Sequence, residues 1–309
     1  MSTLLSIQEV SKRYGGHVAL QNISLEIQQG HVFGLLGPNG AGKTSLIRII
    51  NQITAPDEGR IIFKGETLRP EHIAHIGYLP EERGLYKKMK VGEQCVYLAQ
   101  LKGLSKQEAV KRLTYWFERF DIMAWWNKTI EDLSKGMAQK VQFITTILHE
   151  PELLILDEPF SGFDPINAAL IREEMLRLKS LGATIILSTH DMGSVEELCD
   201  EIGLINQSRL ILSGPVKEVK NQFKQHLYAV EYIGTAMELG IALGHQFELM
   251  DHQVLDGFNQ AKIKIHGSLK LNDLLRAVMP HIEILSAHEL VPDMHEIFIQ
   301  AVTQKQNDL

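Results

Sequence analysis

The stretch GPNGAGKT, residues 37–44, follows the apolar run HVFGLL and leads into LIRII. It fits Gly-x-x-x-x-Gly-Lys-[Ser/Thr] at every fixed position, between a strand-like and a helix-like segment, which is the context that pattern requires. Glycines 37, 40 and 42 let the backbone fold tightly, so that its N–H groups face a phosphate chain while the start of the following helix adds positive potential. The loop is therefore expected to hold nucleotide through Gly37, Pro38, Asn39, Gly40, Ala41, Gly42, Lys43, Thr44 and Ser45. Within it, Lys43 neutralises β/γ-phosphate charge and the Thr44 hydroxyl ligates Mg²⁺.

An acidic counterpart lies downstream in LLILDEP, residues 153–159. Its four leading apolar residues read as a buried parallel strand, and Asp157 emerges at the carboxyl end, where open α/β sheets bind ligands. Asp157 is placed to hold Mg²⁺ through water, and Glu158 to polarise an attacking water.

Around these motifs strand and helix alternate. LSIQEV, VALQNISLEI and HVFGLL are short strand-like runs bounded by Gly15-Gly16 and Gly30, and APDEG turns into RIIFK. Residues from about 90 to 150 read as helical. Ser105 and Glu108 have capping-box spacing, and Ala109, Val110, Leu113, Phe117 and Phe120 recur at helical steps. Trp116, Trp125 and Trp126 in this region read as packing residues. A further helix is expected from about 136 until Pro151 ends it. Strands return at ELLILDE and ATIILSTH, which implies a mostly parallel sheet with helices on its faces. After a hairpin across Asn206–Ser208 comes the polar PVKEVKNQFKQ, read as a linker helix. Beyond it the order strand, helix, strand, strand, helix, strand suggests a small βαββαβ unit with a helix appended.

The bulk properties are those of an ordinary globular chain: 309 residues, 44% hydrophobic and 22% charged, long enough for two domains. No apolar run approaches the roughly 18–20 residues that span a bilayer. The opening MSTLLSIQEVSKRY reads as neither a basic leader nor a signal peptide, so a cytosolic chain is expected. Cys95 and Cys199 match no metal spacing and are not expected to pair; His72 and His75 lack the carboxylates or thiols of a metal site. A net charge of −7 argues against nucleic acid as the partner.

Together the ordered motifs resemble the ATP-binding subunit of an ABC transporter over about residues 4–219. The resemblance implies an α/β fold: a P-loop NTPase ABC cassette, with a mostly parallel sheet, an antiparallel β part and a helical subdomain at about 88–150. A small α+β domain follows at 220–309. It also assigns roles. Tyr14 in SKRYGG matches the aromatic residue that stacks on adenine, and Ser161, Gly162 and Asp164 of SGFD match the loop touching the opposite subunit. His190, ending LSTH, matches the switch histidine that contacts the γ-phosphate and supports the Glu158-bound water. In LSKGMAQKVQ, Ser134, Lys135 and Gly136 stand where the family's LSGGQ signature meets ATP held by the other subunit. Lys135 replaces a glycine there without removing the serine hydroxyl or the helix terminus. Glu81 stands where the family has glutamine; it keeps an oxygen ligand for Mg²⁺ but adds negative charge near Glu158, and adjacent Glu82 could share the role.

The expected function is thus an ATPase using ATP and Mg²⁺. Two such subunits, identical or different, would close on ATP and drive a membrane permease from the cytoplasmic face. The ending VPDMHEIFIQAV loosely resembles the accessory domain of export-type ATPases, including the sodium-extrusion group, and points toward export. Competing readings are a non-transport ABC protein acting on DNA or the ribosome, and an ATP-binding scaffold without hydrolysis. The net charge and the presence of Lys43, Asp157, Glu158 and His190 weigh against them.

Overall fold

The strands follow two apolar patterns that the sequence keeps apart. In a computed structural model describing residues 2–82, 84–161 and 163–307, the hairpin β1 (Thr3–Tyr14) and β2 (His17–Gln28) buries Leu5, Ile7, Leu20, Ile23 and Ile27 among exposed polar neighbours. That alternation suits an antiparallel sheet with one wet face. By contrast β3 (Val32–Leu36) is buried throughout, as a strand inside a covered parallel sheet must be. Helix α1 (Lys43–Ile50) follows it, then β4 (Glu58–Phe63), β5 (Glu66–Thr67) and β6 (Ile76–Leu79). The helical region comprises α2 (Val91–Leu101), α3 (Lys106–Arg119) and α4 (Lys135–Ile147). Then come β7 (Leu153–Asp157), α5 (Pro165–Ser180), β8 (Thr184–Thr189), α6 (Met192–Leu198) and the hairpin β9 (Glu201–Asn206) and β10 (Arg209–Pro215).

These form an antiparallel sheet in the order β2-β1-β4-β5 and a six-stranded sheet in the order β10-β9-β3-β8-β7-β6. In the latter only β10 runs against its neighbour. The parallel strands separate two cores by side-chain alternation. Leu154 and Leu156 of β7 and Ile185 and Leu187 of β8 face the helical region, with Trp116, Phe117 and Phe143. Leu153, Ile155 and Ile186 face α1 and the antiparallel sheet. Trp116 is buried and Trp125 and Trp126 pack against the first core, in keeping with their reading as packing residues.

Two local expectations are corrected. The Ser105 hydroxyl does accept the Glu108 N–H at 3.2 Å, but the reciprocal bond is not made, because the Glu108 carboxylate pairs with Arg112 at 2.6 Å. Helix α4 stops before Pro151: Leu148 is its cap, and Glu150 adopts φ +55°. The residue preceding a proline is pushed out of the helical region, so the turn into β7 begins earlier.

The chain divides into two compact units, Met1–Val216 with Ala301–Leu309, and Lys217–Gln300. The border lies slightly before residue 219, since the Val216 N–H donates to the Asp200 carbonyl at 2.9 Å and extends the β10 register. After α7 (Val216–Gln222), the second unit contains β11 (Leu227–Ile233), α8 (Ala236–Leu243), β12 (Phe247–Val254), β13 (Asn259–Ile265), α9 (Leu271–Val278) and β14 (Glu283–Leu290). The sheet is antiparallel in the order β12-β13-β11-β14, with Val230, Tyr232, Ile263, Leu239 and Leu274 in its own core. A final helix, α10, spans Met294–Asn307.

Candidate functional site

The register of the parallel sheet assembles the site. Leu36 at the end of β3 pairs with Thr189 at the end of β8, and Asp157 at the end of β7 pairs with Ser188. Leu79, ending β6, pairs with Leu156. The segments after these four strands therefore leave one edge of the sheet together: the glycine loop, Glu81, Glu158 and His190.

Glycine is obligatory at two loop positions. Gly37 has φ +149°, and a Cβ there would lie 2.1 Å from the Ile205 carbonyl oxygen. Gly42 has φ +116°, and its Cβ would lie 2.4 Å from the Ala19 carbonyl oxygen. No other residue satisfies both the backbone conformation and the space. Lys43 opens α1 with its side chain folded back on the loop, donating to the carbonyls of Gly37 at 2.7 Å and Pro38 at 3.2 Å. Burial lowers its pKa, against the opposing pull of the Glu158, Asp157 and Glu81 charges.

A cavity of about 360 Å³ is lined by Tyr14, His17 and Ala19, by Asn39 to Ser45 of the loop and helix start, and by Glu81, Asp157 and Glu158. Its size falls within the roughly 300–1,000 Å³ usual for ligand pockets. Tyr14 is 43% exposed, with the Lys12 ammonium 5.5 Å from the ring centre. His17 was not foreseen. It pairs with Tyr14 across the Gly15-Gly16 turn, and that turn's two-residue length was the signal, because it places its flanking residues side by side.

The two adjacent carboxylates occupy different environments. Asp157 ends β7 and is 4% exposed; burial raises its carboxyl pKa, and the charges of Glu158 and Glu81 raise it further. Thr44, Asp157 and Glu81 present the hard oxygen donors that Mg²⁺ takes, and a cation beside Asp157 would offset its unfavourable burial. Glu158 has φ +49°, a left-handed conformation uncommon outside glycine. The turn points its carboxylate back toward β8. Its N–H donates to the Ser188 carbonyl at 2.9 Å, one carboxylate oxygen meets His190 Nδ1 at 2.7 Å, and the other accepts from the Thr189 hydroxyl at 3.3 Å.

Glu81 lines the cavity but Glu82 does not; the Glu82 carbonyl instead accepts from the Gln142 amide at 3.4 Å. Ser134, Lys135 and Gly136 lie outside the cavity lining. Ser134 caps α4, its hydroxyl accepting the Met137 N–H at 3.3 Å, and Ser134 and Lys135 are exposed. The Ser161 carbonyl accepts from the Gln139 amide. Asp164 caps α5, accepting the N–H groups of Ile166 at 3.1 Å and Asn167 at 3.0 Å. Gly162 lies outside the described residues.

Comparison with known proteins agrees with this geometry. Residues 20–161 match the model of the ABC transporter family, and residues 214–302 match that of the ATP-binding protein DrrA1-3-like C-terminal domain. The uncharacterized ABC transporter ATP-binding protein YhaQ of Bacillus subtilis is 41% identical, over 97% of this chain and 98% of its own. The linearmycin resistance ATP-binding protein LnrL, also of Bacillus subtilis, is 30% identical over 99% of this chain and 100% of its own. Among solved structures, cbiO1 of Clostridium perfringens, part of the ABC transporter complex cbiONQ, superposes with a TM-score of 0.63 at 31% identity. The match covers 72% of this chain and 92% of that one.

Proposed function

The chain belongs to the ATP-binding subunits of the ABC transporter family, which hydrolyse ATP to power transport, and on that premise we propose that it is the motor of an exporter, closing as a dimer around two Mg-ATP. Lys43 and the loop amides bind the phosphates, and Tyr14 stacks on the adenine. Asp157 and Thr44 would hold Mg²⁺, with Glu81 an additional oxygen beside them, and an ion held there would supply positive charge against the β- and γ-phosphates. Glu158 takes a proton from the attacking water, and His190 holds the carboxylate in place and reaches the γ-phosphate.

The observation that carries this reading is the 2.7 Å contact between Glu158 and His190 beside the lysine of the glycine loop. A hydrolytic motor needs that pairing, whereas a mere nucleotide holder does not. Ser134, Lys135 and Gly136, outside the lining of this chain's own cavity, act on the nucleotide of the opposite subunit, and Ser161, Gly162 and Asp164 belong to the loop assigned to meet that subunit. The dimer partner is a second copy or a similar subunit. Export is supported by the similarity to a resistance ATP-binding protein and by the DrrA-like second unit. Among the described residues no helix is long and apolar enough to cross a membrane. A permease subunit therefore supplies the membrane path, and the ATPase works from its cytoplasmic face.

The test is Glu158→Gln. Turnover should fall by roughly 10²- to 10⁴-fold, while ATP should now trap a dimer visible by size-exclusion chromatography, because the base and a repulsive charge are both gone. Unchanged phosphate release would sink the assignment.

A further inference from the structure

We propose that Thr189 is a positioning residue for hydrolysis, its buried hydroxyl fixing the orientation of the Glu158 carboxylate. The inference rests on the reading of Glu158 as the base. Thr189 is the last residue of β8 and is 1% exposed. Its hydroxyl accepts the Asp191 N–H at 3.1 Å and lies 3.3 Å from Glu158 Oε2. A hydroxyl carries a single hydrogen. With the Asp191 amide donating to its oxygen, that hydrogen is left for the carboxylate, so Thr189 donates and Glu158 accepts.

The need for a second support follows from the other contacts of Glu158. Its backbone sits in the left-handed region, from which the side chain is not steered by a regular strand or helix. Its neighbour His190 has a side chain 67% exposed, so that ring is free to leave the carboxylate when a phosphate competes for it. Thr189 has no such freedom: its β8 backbone pairs with Leu36 of β3, and its hydroxyl is tied to the amide at the start of α6. Three successive residues, Ser188 and Thr189 ending β8 and His190 just after it, thus contact Glu158: the Ser188 carbonyl holds its N–H, His190 one carboxylate oxygen, and Thr189 the other. The exposed contact can follow the nucleotide while the buried one keeps the base aimed.

The experiment measures ATP turnover of the full chain carrying Thr189→Val, which keeps the shape and removes the hydroxyl, and Thr189→Ser, which keeps the hydroxyl. For Thr189→Val, kcat should fall by about 10- to 100-fold, as expected of a misaimed base. KM for ATP should stay within about twofold. Thr189→Ser should restore kcat to within about threefold of the original. Should valine at this buried strand end lower the yield of folded protein, Thr189→Cys, a weak donor of similar size, carries the same expectation. An unchanged kcat, a KM that rises as much as kcat falls, or a serine variant as slow as the valine one would each overturn the proposal. Glu158→Gln is assayed alongside. If it is inactive while Thr189→Val is normal, only the role of Thr189 fails; if it turns over normally, the base reading itself fails.

Discussion

Replacing Arg119 by methionine tests what holds the helical region to the parallel sheet. Glu174, on α5, is 1% exposed, and its carboxylate is shared by Arg119 from α3, at 2.7 Å, and by Arg177 from its own helix. The Arg177 guanidinium also sits 5.3 Å from the ring of Trp116 on α3. One buried carboxylate therefore joins the two regions through two cations. Removing one partner of a fully buried ion pair costs about 3–5 kcal/mol. Here the arginine side chains are 34% and 30% exposed and Arg177 remains, so the lower figure for a charged hydrogen bond applies, about 2–3 kcal/mol. Methionine preserves the packing of the arginine stem, which isolates the charge. All three tryptophans lie in the helical region, at 116, 125 and 126, so urea unfolding followed by tryptophan fluorescence reads that region directly. A melting temperature lower by roughly 4–12 °C should accompany the loss. In a cycle with Glu174→Leu, the coupling between positions 119 and 174 should be at least about 1.5 kcal/mol. A loss below about 1 kcal/mol that fades with salt is the behaviour of an exposed pair. It would refute the claim that burial of Glu174 makes this contact strong.

A pH effect on stability is expected from His149. Burial lowers its pKa from 6.5 to about 4, and its Nε2 donates to the Ile76 carbonyl at 3.3 Å. The unfolded chain therefore binds the proton first, and the contribution present above pH 6.5 is lost as pH falls through about 4, on the order of 3 kcal/mol in all. His149→Gln should flatten denaturation curves over that interval, and an unaltered slope would place the acid sensitivity elsewhere. For Glu81, which borders the same cavity as Asp157 and Lys43, substitution by glutamine should leave ATP affinity within about threefold and change the turnover coupled to the permease. Transport indifferent to the swap would remove Glu81 from the coupling path.

Much of the architecture is legible because its signals are local. Continuous apolar runs mark β3, β7 and β8 as covered parallel strands, and alternation marks β1 and β2 as a half-wet hairpin. The second unit is readable for the same reason. What escaped is decided by competition between neighbours: Glu108 prefers Arg112 to its capping partner, and the chain leaves α4 ahead of Pro151 to make its turn. His17 escaped because a hairpin partner is a matter of register, not of residue type.

The acidic pair carries the same distinction further. The sequence already sets Asp157, at the end of an apolar strand, apart from Glu158 just beyond it. In the fold the strand ends between them, leaving Asp157 buried in the sheet and Glu158 turned to φ +49°. Left-handed backbone at a non-glycine residue costs on the order of 1–3 kcal/mol, and glycine at 158 would remove that cost. It would also remove the carboxylate that Thr189, ending the neighbouring strand, and His190, just after it, hold between them. A strained turn kept with these supports around it is arranged for the side chain it carries, and this asymmetry supports the proposal that the first acid holds the metal and the second takes the proton.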